Sequence, residues 1–134
     1  MKNLPSSGSL TDCVCVFSSH EDFSVYEAIY AGFDALSNLV IMCSHTDSDR
    51  SGYDCATYAM LDSHEAGRLA KRLNVGIHDL PMQIAESMSE WDEIVCPLPS
   101  HVKDCFKEIT ECLLDEGCRF TIERKPSANG YTTC

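Results

Sequence analysis

A nearly continuous apolar run at residues 39–44, with the sequence LVIMCS, constrains the fold more than any other segment. It is short and is followed by residues 45–52, which are rich in turn formers (HTDSDRSG). An apolar run of this length with turn signals beside it favours a strand. Because polar residues do not alternate along it, we expect this strand to be covered on both faces of a sheet.

Other patterns place the remaining elements around this strand. Further strands are predicted at residues 13–18, 53–61, 93–96 and 118–123, a helix at residues 20–37, and helices capped at Asp62, Asp79 and Ser100. Residues 54–73 could alternatively form one helix. We favour the strand at 53–61 because Asp62 and Glu65 form a capping-box pattern directly before a new helical periodicity.

Two helices are predicted from apolar stripes at helical spacing. In residues 20–37 the stripe is formed by Tyr26, Ile29, Tyr30, Phe33 and Leu36, which directs Glu27 and Asp34 to water. The helix capped at Ser100 has the clearest stripe, and Gly117 ends it. That stripe consists of Val102, Cys105, Phe106, Ile109, Cys112 and Leu113.

The predicted order is β-α-β-β-α-α-β-α-β, an α/β (α+β) class with a mixed sheet of about five strands covered by about four helices. The chain of 134 residues fits one domain. We expect a flexible N-terminal arm at residues 1–11, a single α/β domain at 12–124, and a flexible C-terminal tail at 125–134.

Charge restricts the classes of partner. Twenty-one acidic residues against ten basic ones give a formal net charge of −11. Such a chain repels nucleic-acid backbones and anionic membranes and is attracted to basic protein surfaces. The N-terminal segment has no apolar core typical of a secretory signal, so the protein is expected to be cytoplasmic. The nine cysteines are expected to be reduced, most of them as small buried hydrophobes.

Four residues on two predicted strands are candidate zinc ligands. Cys13 and Cys15 share one predicted strand, and Cys43 and His45 repeat their spacing on the next, so parallel neighbouring strands could bring four zinc ligands together. Residues two apart on a strand are separated by about 6.5 Å, which suits a tetrahedral site poorly. Core cysteine is therefore the preferred interpretation, and no metal or other cofactor is predicted.

The segment beginning Asp47-Ser-Asp49 matches the first half of a calcium loop. Tyr58 occupies the position that needs a bidentate Glu, which favours an ordinary turn. A cysteine–histidine nucleophile is possible with nine cysteines and five histidines, but no spacing singles out a pair. The sequence contains no phosphate-binding glycine motif.

The strongest functional signal is an acidic stripe on the helix capped at Ser100. Asp104, Glu108, Glu111 and Asp115 are spaced by four, three and four residues, which puts them on one face. Glu86 and Glu90 repeat the pattern on the preceding segment, and Asp47 and Asp49 add acids in the turn. Such a surface could imitate a nucleic-acid backbone. The alternative is a passive solvated face, in which Lys103 and Lys107 pair with the acids.

The sequence therefore predicts a small acidic, non-enzymatic binding protein that occupies a basic site on a larger, nucleic-acid-handling protein. Its size and charge are those of small phage inhibitors of host defence, such as anti-CRISPR and antirestriction proteins, although no motif links it to a family. Tyr53, Tyr58 and Trp91 are candidate apolar anchors. A small-molecule- or nucleotide-sequestering protein, a small Cys/His enzyme and a zinc-binding domain are the alternatives. The oligomeric state stays open.

Overall fold

Four strands precede the helices in the described part of the chain, and a fifth strand follows them. The computed structural model of the protein describes residues 10–50, 52 and 54–126. The strands are β1 (Thr11–Ser18), β2 (Val25–Phe33), β3 (Leu39–Asp47), β4 (Cys55–Leu61) and β5 (Thr121–Pro126). The α-helices are α1 (Ser63–Leu73), α2 (Leu80–Ser87) and α3 (Pro99–Asp115), with short 3₁₀ helices at Ile77–Asp79 and Ser89–Glu93.

The five strands form one antiparallel sheet in the order β1-β2-β3-β4-β5. The β2–β3 pairing is unbroken from Val25↔Asp47 to Phe33↔Leu39. The prediction of a mixed sheet is therefore wrong, because all the neighbouring strands are antiparallel. The number of strands and the α+β class are confirmed. Hairpins join the first four strands, so no helical crossover is needed to connect them.

The helices cover one face of the sheet and enclose the main core. From β3 this face receives Leu39, Ile41 and Cys43, and Val102, Cys105, Ile109 and Leu113 of α3 join the same core cluster. A smaller buried cluster includes Val40, Met42 and Tyr58, which alternate with the first set along β3 and β4. Leu39 to Cys43 are all buried, which confirms that this strand is covered on both faces.

The predicted helix at residues 20–37 is wrong, because this segment contains β2 and the turn into β3. Ile29 and Phe33 do share one face, but they do so as alternate residues of a strand and not as a helical stripe. Asp34 is buried, not solvated. Its Oδ1 accepts hydrogen bonds from the backbone N–H groups of Leu36 and Asn38, both at 2.9 Å, which fixes the turn.

The predicted strand at residues 93–96 is also absent from the described residues. The 3₁₀ helix Ser89–Glu93 ends at that point, and Val95 is 95% exposed. The described residues therefore form three α-helices where four were predicted, in the observed order β-β-β-β-α-α-α-β. The helix capped at Asp79 stops at Ser87, so Trp91 lies beyond it in the 3₁₀ helix.

Capping residues explain why the ends of α1 and the C-terminal end of α3 were predicted correctly. The side chain of Asp62 accepts a hydrogen bond from the Glu65 N–H at 2.9 Å, and Asn74 ends α1 in a left-handed conformation. Gly117 has φ +75° directly after α3. The cap of α3 is Leu98 rather than Ser100, because Pro99 occupies the first turn, where its missing N–H costs nothing.

The terminal predictions fall largely on residues 1–9 and 127–134, which lie outside the described residues. At the described margins, Leu10 is buried and β1 starts at Thr11, while β5 continues through Lys125 to Pro126. None of the helices in the described ranges has the length and apolar character needed to cross a membrane.

Gly32 provides a test of the β1–β2 packing. A Cβ atom at this position would lie 2.9 Å from both the Cβ of Leu10 and the carbonyl oxygen of Thr11. Gly32→Ala should therefore lower the free energy of unfolding by about 1–3 kcal/mol in urea denaturation. Gly67→Ala is the control: the added Cβ meets nothing within 4 Å, and alanine in α1 should raise stability by about 1 kcal/mol. Equal effects of the two substitutions would contradict this packing.

Candidate functional site

The acidic stripe lies on the solvent side of α3. Asp104, Glu108, Glu111 and Asp115 are all exposed. At 3.6 residues per turn their mean direction is roughly 135° from that of the buried α3 residues. None of the four forms an ion pair within the described part of the chain. The packing of the opposite face of α3 on the sheet therefore fixes these carboxylates as an outward-facing group, here called the acidic face.

The two lysines of α3 do not pair with the acidic face. The Nζ of Lys103 lies 3.1 Å from Oε2 of Glu27, on β2. Lys107 is exposed and has no ion-pair partner among the described residues. Burial raises the pKa of the Cys112 thiol, and the charges of Glu108, Asp115 and Glu111 raise it further. The charged groups that act on this thiol are therefore carboxylates.

The other predicted interaction residues are less well suited to binding. Glu86 and Glu90 are exposed on α2 and the following 3₁₀ helix, and no described contact connects them to the acidic face. Asp47 acts within its own turn, where its Oδ1 accepts hydrogen bonds from the N–H groups of Asp49 and Arg50 at 2.9 and 3.2 Å. Asp49 itself is exposed.

The four candidate zinc ligands do not converge. Cys13 and Cys15 are on β1, and β2 separates them from Cys43 and His45 on β3, so the two pairs are about 9.5 Å apart across the sheet. Cys13 is disulfide-bonded, which removes its thiolate. The described ranges contain no group of three or more His, Cys, Asp or Glu residues placed to hold a metal ion. The parallel neighbouring strands that such a zinc site would need are not present among the described strands, since β1, β2 and β3 are antiparallel neighbours in that order.

The cysteines differ from their predicted role. Cys43, Cys105 and Cys118 are buried, but Cys15, Cys96 and Cys112 are exposed and Cys55 is half-buried, all as free thiols. Most of the described cysteines are therefore not core filler. Two of the proposed aromatic anchors pack against the core instead. Tyr58 is 1% exposed, and Trp91 is partly buried, with its ring centroid 5.8 Å from that of Phe17. Tyr53 lies outside the described residues.

A second site is built around Glu27, a residue that the helical interpretation of residues 20–37 wrongly places on the solvent-facing side. Its side chain is 1% exposed. The carboxylate is bound by Nδ1 of His45 at 2.7 Å and by Nζ of Lys103 at 3.1 Å, and it accepts a longer contact from the Cys43 thiol at 3.7 Å. A buried carboxylate needs such partners, because burial without them costs several kcal/mol.

The same site contains a second thiol with a cationic partner. The Nη2 of Arg124, on β5, donates to Sγ of Cys55 at 3.3 Å, and this hydrogen bond raises the pKa of the guanidinium. Together these groups line a pocket of about 200 Å³ that is open on one side. We call it the Glu27 pocket; its lining residues are Glu27, Cys43, His45, Cys55, Thr57, Lys103, Phe106 and Arg124.

The two thiols of the Glu27 pocket differ in their surroundings. Burial raises the pKa of Cys43 strongly, and the adjacent charge of Glu27 raises it further, so this thiol stays protonated. Cys55 is half-buried and contacts a cation instead of a carboxylate. The pocket therefore holds one inert thiol and one accessible thiol.

Sequence reasoning found only part of the Glu27 pocket. Cys43 and His45 were named as metal candidates, whereas Glu27, Cys55 and Arg124 were not proposed as site residues. The alternation of side chains along a strand could have revealed Glu27. If residues 25–33 are taken as a strand, Glu27 falls on the same face as the buried Ile29. The pairing that places β5 beside β4 has no local sequence signal.

Comparisons of the chain with known protein families, with curated proteins and with solved structures find no match. The acidic face and the Glu27 pocket are the features of the described residues that bear on function.

The network in the Glu27 pocket predicts an asymmetric response to mutation. Lys103→Met with His45→Leu leaves a buried carboxylate without its ammonium and imidazole partners and should lower the free energy of unfolding by about 3–5 kcal/mol. Glu27→Gln should cost less, about 1–3 kcal/mol, because Lys103 and His45 can still reach water. Urea denaturation measures both.

Lys107→Met is the matched control, since it removes an exposed lysine of the same helix; its effect should stay within about 0.5 kcal/mol. Adding Glu27→Gln to the double variant should restore part of the lost stability. If Glu27→Gln alone lowers the free energy of unfolding most, the buried charge of Glu27 is not what Lys103 and His45 stabilise, and the proposed network is contradicted.

Proposed function

We propose that this protein is a small acidic binding protein that occupies a basic site on a larger, nucleic-acid-handling protein. The observation that supports this most is the acidic face: four exposed carboxylates on one helix, without ion-pair partners among the described residues. Lys103 is the cation of α3 that is bound, and its partner is Glu27. The alternative of a self-neutralised helix surface is correspondingly weaker.

The spacing of the carboxylates suits a basic cleft. Successive members of the acidic face are separated by about 4.5–6 Å along α3, and the four extend over about 16 Å. Phosphates along a DNA strand are also separated by a few ångströms. Because α3 is held on the sheet by its buried face, the charges are presented by a rigid element. Complementary charge would accelerate association and make it sensitive to salt.

An apolar contact is needed for affinity, because charge contributes mainly to rate and specificity. Leu114 is a suitable residue: it lies on α3 between Glu111 and Asp115 in sequence and is 63% exposed. By helical geometry it flanks the acidic face on the side of Lys107. We propose Leu114 as the anchor, in place of the buried Tyr58 and the packed Trp91.

The proposed role is stoichiometric and belongs in the cytoplasm, where nucleic-acid-handling proteins of this kind act. It is the role of small phage inhibitors of host defence, such as anti-CRISPR and antirestriction proteins. The small size and the negative net charge of the chain support this comparison.

The test compares three immobilised proteins in a nuclease-treated cell extract at low and at high salt. The face variant carries Asp104→Asn, Glu108→Gln, Glu111→Gln and Asp115→Asn. The control variant carries Asp12→Asn, Glu21→Gln, Asp22→Asn and Glu123→Gln, which neutralise four exposed acids elsewhere. Each variant changes the formal net charge from −11 to −7, since four negative charges are removed. Only the position of the removed charge differs.

We expect the wild type and the control variant to capture the same basic nucleic-acid-handling proteins at low salt, and DNA to compete for them. High salt should release them, because the attraction is screened. The face variant should lose this capture, with an unchanged circular dichroism spectrum. Equal capture by the face and control variants, or capture that DNA does not compete with, would contradict the proposal.

A further inference from the structure

The Glu27 pocket brings together side chains from four strands and from α3 in a way that the acidic face does not explain. Glu27 comes from β2, His45 from β3, Cys55 from β4 and Arg124 from β5. The pocket is net cationic although the chain carries a formal charge of −11, because Lys103 and Arg124 together exceed the single charge of Glu27. A cationic concavity in an anionic molecule selects for small anions.

Three of these residues form a row across the sheet. Glu27 pairs with His45, and His45 pairs with Cys55, each directly opposite in the antiparallel register. All three line the same pocket, so their side chains lie on one face. Directly opposite Cβ atoms on such strands are about 4.5–5.5 Å apart. The imidazole of His45 therefore lies between a carboxylate and a thiol.

The contacts of His45 suit a base. Its Nδ1 is bound to Glu27 at 2.7 Å, which orients the ring and leaves Nε2 as the nitrogen not used by the carboxylate. A carboxylate on Nδ1 with a thiol beside the same ring is the arrangement that activates cysteine nucleophiles. The guanidinium of Arg124, whose Nη2 lies 3.3 Å from Sγ of Cys55, places a positive charge directly beside the sulfur.

We propose that Cys55 is a nucleophile for small electrophiles that carry a carboxylate or phosphate group, with His45 as its base. The anionic group is held by Arg124 and Lys103, both of which retain unused N–H donors in the pocket. Sγ of Cys55 attacks the electrophilic carbon and forms an S–C bond. The leaving group departs with the electron pair of the bond that breaks, and the thiol proton passes to Nε2 of His45. This activity does not rest on the proposed binding function.

Other cysteines of the same chain provide internal controls. Cys112 is exposed, so reagents can reach its thiol. It lies among the carboxylates of α3, however, and these repel anions. Cys96 is exposed on the segment between the 3₁₀ helix and α3. One sample therefore contains accessible thiols in a cationic site, an anionic site and an ordinary exposed position.

The experiment measures alkylation rates at each cysteine with iodoacetate and with iodoacetamide, by peptide mass spectrometry of the folded full chain. The two reagents differ in charge, and iodide is the leaving group in both. The ratio of the iodoacetate rate to the iodoacetamide rate should be about tenfold higher at Cys55 than at Cys96, because the pocket concentrates anions. At Cys112 the ratio should be lower than at Cys96. A ratio at Cys55 equal to or below that at Cys96 overturns the proposal.

Arg124 variants separate charge from general reactivity. Arg124→Ala should abolish the preference of Cys55 for iodoacetate, and Arg124→Lys should retain it, with unchanged circular dichroism spectra in both cases. An undiminished preference in Arg124→Ala contradicts the assignment of the anion subsite. His45→Gln should slow alkylation of Cys55 by both reagents and move its pH profile upward; an unchanged rate and pH profile contradict the role of the base.

Competition then identifies the anionic group. Inorganic phosphate and acetate are compared at equal ionic strength for protection of Cys55 against iodoacetamide. Protection by either ion supports the subsite, and the stronger protector shows whether phosphate or carboxylate is preferred. Failure of both ions to protect Cys55 contradicts it.

Discussion

The packing of α3 against the sheet is the constraint on which both candidate sites depend. Val102, Cys105 and Ile109 are buried against the strands, so the helix cannot rotate about its axis without exposing core. With that face fixed, Asp104 and Glu108 must point to water, and Lys103 lies where it reaches Glu27. One packing interaction therefore separates the charges of a single helix into an acidic outer face and a cation directed at the sheet.

This separation has an energetic reason. Glu27 is buried at 1% exposure, and a buried carboxylate is costly unless cations and hydrogen-bond donors surround it. Lys103 and His45 supply that compensation, and Lys103 is consequently withdrawn from the acids of its own helix. A role in folding for the Glu27 network is thus compatible with a role in chemistry, because the same contacts that stabilise Glu27 orient His45 beside Cys55.

The sequence predicted the elements whose signals are local. The strand at 39–44 was found from its apolar run and proved to extend from Leu39 to Asp47; α1 and α3 were found from their caps and stripes. The helix predicted at 20–37 failed because Ile29, Tyr30 and Phe33 fit a helical stripe as well as a strand buried on both faces. Alternation disappears in such a strand, so periodicity alone cannot decide. Without β2, the register that joins Glu27, His45 and Cys55 could not be derived.

We expect the packing of α3 to give the molecule two surfaces of opposite potential. Solvent paramagnetic relaxation of backbone amide protons, measured with a cationic and an anionic nitroxide of equal size, tests it directly. The cationic probe should relax the amide protons of α3 near Glu108 and Glu111 more strongly than the anionic probe, and the order should reverse around Thr57 and Arg124. The same probe preference at both places would contradict it.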